Sequence, residues 1–180
     1  MIVINFFGGA GSGKSAQAAG LFWLMKSKDY SVELINEFPK QLVWEKHYEA
    51  LSDQLYILAN QNRQVLRLEG QVDYCITDSP TLLSLVYKNA YSVSPYSNAL
   101  NQLALESFER NTTINFFLES GDNYKQVGRV QNEKQSYEIE EELKEILDKK
   151  NIKYYLIDYK TENDILTNML KYVQHESSTL

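Results

Sequence analysis

A chain of 180 residues, 43% of them apolar, can bury one sizeable core and is too short for two ordinary domains, so one domain over 1–176 and a short flexible tail at 177–180 are expected. The formal charge of −6 and a pI near 5.0 repel a phosphate backbone at long range, and no run of Lys and Arg offsets them, which disfavours nucleic acid as a partner. The one cysteine, Cys75, excludes an intramolecular disulfide and fits a reducing cytoplasm, and no apolar run approaches the roughly 18 residues of a membrane span.

The first element is an apolar run, Ile2 to Phe7, with the character of a buried strand. It leads into Gly8-Gly9-Ala10-Gly11-Ser12-Gly13-Lys14-Ser15, which satisfies the phosphate-loop pattern G-x-x-x-x-G-K-[ST], and a helical pattern follows from Lys14 to Lys28. Glycines at these positions let backbone N–H groups turn inward as an anion nest at the positive end of that helix. Lys14 is of the type that reaches β- and γ-phosphates, and the Ser15 hydroxyl suits Mg²⁺. A nucleoside triphosphate, taken as ATP, and Mg²⁺ are the expected cofactors.

The second strand is expected over Ser31 to Asn36, and Glu37 follows it, ahead of Phe38-Pro39. In a parallel sheet the carboxyl ends of the strands gather at the ligand face, so Glu37 is a candidate to take the proton of an attacking hydroxyl; a solvent-facing loop glutamate would look the same. One long helix is expected from Trp44 to Leu68. Its Gln54, Gln61 and Arg63 are types that hydrogen-bond a base edge or an acceptor, while Leu55, Leu58, Val65 and Leu68 read as core.

The third strand, Tyr74 to Thr77, ends in Asp78-Ser79-Pro80. Asp78 is the candidate to orient Mg²⁺ beside the phosphate loop, although Asp-Ser-Pro is also a common helix start. A helix over Thr81 to Tyr87, a surface loop from Lys88 to Pro95 and a helix from Ser97 to Glu109 come next, with Tyr91 and Tyr96 available to stack on a planar ring. The fourth strand is Ile114 to Leu118, and the polar stretch Ser120 to Gln131 reads as a lid whose Arg129 could spread positive charge onto a transferring group; pairing with nearby glutamates is the alternative for that side chain. A helix over Glu133 to Lys150 with a solvated acidic face, a strand over Lys153 to Ile157 and a helix over Glu162 to His175 complete the chain. Strands alternating with helices specify an α/β fold with a five-stranded parallel sheet and helices on both faces.

On the phosphate loop, the Asn36-Glu37-Phe38 turn, the Gln-bearing helix, Thr77-Asp78-Ser79-Pro80 and Gly128-Arg129, the chain resembles small phage-encoded AAA-type ATPases and nucleoside-kinase-like proteins. These are similar to the ribosylnicotinamide kinase domain of the bacterial NAD-biosynthesis regulator. The resemblance implies a three-layer P-loop fold of the kinase type, sheet order 2-3-1-4-5, and ATP-dependent phosphorylation of a hydroxyl or phosphate. Deoxynucleoside kinases share a Glu, Pro and Trp after the second strand, echoed here by Glu37, Pro39 and Trp44. They carry an arginine where this chain has Ser79, and several lid arginines where it has one. Such kinases are often dimers, so a homodimer is an open expectation.

A small-molecule phosphotransferase, acting on a nucleoside, a nucleotide or something like them, is therefore the leading reading. A AAA+ motor would carry an acidic pair at the third strand end, where Asp78 is followed by Ser79, and a GTPase would carry Asn-Lys-x-Asp, which does not occur. A nucleotide-binding ATPase or regulatory switch protein and a kinase of modified bases in DNA are the alternatives; the second would bring a basic groove.

Overall fold

The structure, a computed structural model, describes residues 1–91, 97–119, 132–157 and 164–179, with the side chains of 88–91 and 97 left aside. In chain order, strand β1 (Ile2–Phe7) leads to helix α1 (Lys14–Lys26), and β2 (Val32–Ile35) to the helices α2 (Phe38–Glu45), α3 (Tyr48–Ser52) and α4 (Gln54–Leu66). Strand β3 (Tyr74–Thr77) is followed by α5 (Leu83–Tyr91) and α6 (Ser97–Glu109), β4 (Thr112–Leu118) by α7 (Glu133–Lys149), and β5 (Tyr155–Ile157) by α8 (Ile165–Ser178). The strands pair in parallel in the order β2-β3-β1-β4-β5, as the resemblance implied.

Apolar side chains on both faces of the strands account for the three layers. Ile4, Phe6, Ile76, Ile114, Phe116 and Leu118 pack under α1 and α8 through Ala18, Leu21, Met25, Met169 and Val173. On the opposite face Phe7 and Phe117 meet Leu58, Leu83, Leu100, Ala104, Ile139 and Leu143 of α4 to α7. Two polar residues interrupt this face. Asn5 and Asn115, register partners on β1 and β4, are both buried, and the Asn5 amide donates to Asn115 Oδ1 at 2.9 Å. Asn115 donates in turn to the Lys153 carbonyl at 2.9 Å, so a row of amides pins three segments in register.

Several boundaries differ from the sequence expectation. The helix expected over Trp44 to Leu68 is three helices, and the first begins at Phe38. Lys46 adopts a left-handed φ of 60°, which ends α2, and Asp53 accepts from Leu55 N and Tyr56 N, both at 3.1 Å, which starts α4 afresh. The surface loop expected from Lys88 is helical as far as Tyr91; Lys-Asn-Ala-Tyr contains no glycine or proline to stop α5. At the other end of the chain α8 continues to Ser178, into the expected tail, where Tyr74 donates its hydroxyl to Ser177 Oγ at 3.1 Å. The lid segment and Arg129, and with them Tyr96 and the side chain of Tyr91, lie outside the described residues.

Candidate functional site

The phosphate loop bridges the end of β1 and the start of α1, and its glycines occupy backbone conformations that L side chains rarely adopt. Gly8, Gly11 and Gly13 have φ of 138°, 92° and 89°. At Gly8 the approach is closest: a Cβ there would lie 2.3 Å from the Leu118 carbonyl oxygen on β4 and 2.6 Å from Ser12 Oγ. Ser12 is fully buried, and its Oγ has no partner among the described residues. Gly13 caps α1 without a side chain, and no acidic residue occupies the first turn, so the chain leaves the positive end of this helix unneutralised. Lys14 folds back and donates to the carbonyls of Gly8 and Gly9 at 2.9 and 2.7 Å, while the Ser15 side chain is exposed beside it.

Register brings the candidate carboxylates to the same edge. Thr77 pairs with Asn5 on one side and with Ile35 on the other, so Gly8, Asp78 and Glu37 all lie just past the carboxyl ends of three adjacent strands. Asp78 is buried, at 5% exposure, and its Oδ1 has no partner among the described residues. An orphaned carboxylate oxygen beside an anion nest fits a Mg²⁺-triphosphate: a cation would satisfy it, and Ser15 offers a hydroxyl from the neighbouring helix start. Glu37 is half-buried at the N-cap of α2, where its carboxylate makes no capping bond. Among the described residues no group of three His, Cys, Asp and Glu side chains is placed to hold a metal by itself.

The Gln-bearing helix is divided. Gln54 and Gln61 lie seven residues apart on one face of α4, both buried, whereas Arg63 points the opposite way and is exposed. The amide of Gln54 donates to the Leu51 carbonyl at 3.2 Å and that of Gln61 to Ser79 Oγ, so both are engaged inside the protein. Trp44 is exposed on α2. The buried Cys75 thiol, three residues before Asp78, is pushed up from 9.0 to about 12, chiefly by burial, which keeps it protonated and inert.

One contact at the loop carries no signal in the phosphate-loop pattern. Ser136, buried in the first turn of α7, donates to the Ala10 carbonyl at 2.7 Å. The capping box that places this turn was readable: Asn132 Oδ1 accepts from Gln135 N and Gln135 Oε1 from Asn132 N, both at 2.9 Å, the N-x-x-Q form of a familiar helix start. Its target 126 residues away was not.

No curated protein sequence matches this chain. Among solved structures, thymidylate kinase from Ehrlichia chaffeensis has the same fold, with a TM-score of 0.64 over 96% of this chain and 98% of that one at 18% identity. A family model described as an AAA domain matches residues 3–163, which takes in the phosphate loop, Glu37, Asp78 and the start of α7. On that match the chain belongs to this AAA domain family of P-loop proteins.

Proposed function

We propose that this protein is an ATP- and Mg²⁺-dependent phosphotransferase whose acceptor is a nucleoside, a nucleotide or a similar small molecule. The observation that carries the proposal is the alignment of an anion nest, an orphaned buried carboxylate and a second carboxylate on three neighbouring strand ends. The kinase fold of the structural neighbour supports it. In this reading the loop N–H groups and the Lys14 ammonium bind the β- and γ-phosphates. Ser15 and Asp78 would hold Mg²⁺, which would supply positive charge against those phosphates. For a hydroxyl acceptor, the bond from acceptor oxygen to γ-phosphorus forms as the bond from phosphorus to the β,γ-bridging oxygen breaks. The electron pair leaves on ADP and the acceptor proton goes to Glu37. Arg129, from the lid, is assigned the charge that develops on the transferring group.

The test is a transfer screen with γ-labelled Mg-ATP against nucleosides, nucleoside monophosphates, nicotinamide riboside and modified-base DNA, with an acceptor-free control. Label on one of the small-molecule classes is the expected outcome. Tight ATP binding with no label on any acceptor would sink the proposal. It would advance a second reading, a nucleotide-dependent switch, which draws on the bond from Ser136 to Ala10: α7 is tied to the loop and would feel a ligand there.

A further inference from the structure

We propose that Gln61 is a positioning residue for the magnesium-side carboxylate, acting through Ser79 on the turn that carries Asp78. The inference rests on the reading of Asp78 given above. Asp78 lies between Thr77, the last residue of β3, and Ser79, and its own Oδ1 has no partner among the described residues, so no contact at that oxygen fixes where it points. Its place at the strand end is set by the backbone of 77–79. Two bonds shape that turn: Ser79 N donates to Thr77 Oγ1 at 3.1 Å, and Ser79 Oγ accepts from Gln61 Nε2. Both Gln61 and Ser79 are about 95% buried, so the second bond is shielded from water and joins the middle of α4 to the strand end.

The chemistry of the position favours this role over reading an acceptor. The Gln61 amide faces the sheet, where it lines a cavity of about 20 Å³ together with Asn5, Thr77, Thr81 and Asn111. Its Nε2 is donated to Ser79, and its Oε1 is buried with no partner among the described residues. Where a ligand group is held from behind by a second residue, removing that residue weakens metal binding typically by ~10–100-fold, because the ligand swings off the metal although it is still present. Without Gln61, the Ser79 hydroxyl loses its only described donor, and of the two bonds that shape the turn the one from Ser79 N to Thr77 Oγ1 remains.

The experiment reads binding rather than turnover. A fluorescent ATP analogue is titrated onto wild type, Gln61→Met, Ser79→Ala, the double variant and Asp78→Asn, first in EDTA and then with increasing MgCl₂. Gln61→Met and Ser79→Ala are each expected to raise the half-saturating Mg²⁺ concentration about tenfold. Affinity in EDTA should be unchanged, a split that a general loss of structure would not produce. The double variant should be no worse than the worse single one, since both remove one bond. Multiplied effects in the double variant would overturn the shared route. If Asp78→Asn shifts the Mg²⁺ titration while neither Gln61→Met nor Ser79→Ala does, this inference fails and the Mg²⁺ role of Asp78 stands. If Asp78→Asn shifts nothing, the underlying reading fails and this inference with it. Should Gln61→Met not fold, Ser79→Ala decides alone, and an unchanged half-saturation refutes the proposal.

Discussion

Of the loop glycines Gly8 and Gly13, Gly8 has the less room for a side chain. An alanine there would combine an unfavourable φ of 138° with a Cβ inside the contact distance of a backbone carbonyl, and a carbonyl on the central sheet cannot step aside. Gly8→Ala should therefore lower stability by about 2–3 kcal/mol and abolish ATP binding, read by thermal unfolding and nucleotide titration. Lys14→Ala should leave the melting temperature within a few degrees and remove most triphosphate affinity; unchanged binding by the folded variant would end the phosphate-loop assignment. Glu37→Gln should reduce transfer to a hydroxyl acceptor by roughly 10²–10⁴-fold with little effect on ATP binding, and equal rates would reduce Glu37 to a loop residue. These residues were legible in the sequence as candidates because they stand at short spacing from the end of a strand. Gln61 was singled out for its type and assigned outward, to an acceptor. Its partner Ser79 lies 18 residues away and its direction depends on how α4 packs, which no local pattern encodes.

Among the elements, α7 connects the loop to the rest of the molecule. Its N-terminus is fixed twice, by the reciprocal bonds of Asn132 and Gln135 and by Ser136 on Ala10. Asn132→Ala should lower stability by about 1 kcal/mol, the ordinary value of a cap, and spare the loop. Ser136→Ala should weaken ATP affinity by roughly fivefold, corresponding to about 1 kcal/mol for one buried hydrogen bond, at similar thermal stability. If calorimetry finds the two variants indistinguishable in ATP affinity, α7 does not support the loop. Strands and their order were the easiest elements to read, because buried parallel strands are short apolar runs. The region 38–66 was harder: Asp53 and Pro39 are recognisable start signals, but apolar periodicity continues through the break at Lys46 and masks it.

For the whole molecule, Cys75, Tyr154, Tyr155 and Lys153 agree on a direction with pH, and Glu176 opposes them. Burial pushes the Cys75 thiol up to about 12, with Arg67 opposing and Glu33 adding; burial first, and then their acidic neighbours Asp148 and Glu176, raise the Tyr154 and Tyr155 hydroxyls. The hydrogen bond to Glu176 raises Lys153 and lowers Glu176. A folded-state pKa above the unfolded one gives stability that is complete below the unfolded value and lost as pH rises toward the folded one. The alkaline loss therefore starts near pH 9 with Cys75 and is joined by the tyrosines and Lys153 above about pH 10. Glu176 has the opposite sign, and its contribution, present above about pH 4.5, fades as pH falls below that. The melting temperature should be level between about pH 5 and 9 and decline on both sides. Cys75→Ala should flatten the first part of the alkaline decline, and a wild-type melting temperature that holds to pH 11 would contradict this account. The acidic balance and the α/β class could both be taken from composition and pattern. The amide row Asn5–Asn115–Lys153 could not, because it joins residues 110 and 38 positions apart.

The close approach of Gly8 to Leu118 also sets a timetable. The whole glycine-rich loop is made by residue 13, yet the wall it leans on is the carbonyl of Leu118, a residue made 110 positions after Gly8. Beside it, β1 gains its β3 neighbour once residue 77 is out and its β4 neighbour only after residue 118. During synthesis the nascent chain thus carries its phosphate motif in a half-built frame, and competence to grip a nucleotide arrives late, close to the point at which the central sheet closes. Chains halted before residue 112 should be unable to hold ATP although every loop residue is present, whereas chains extended through α7 should acquire that ability in one step.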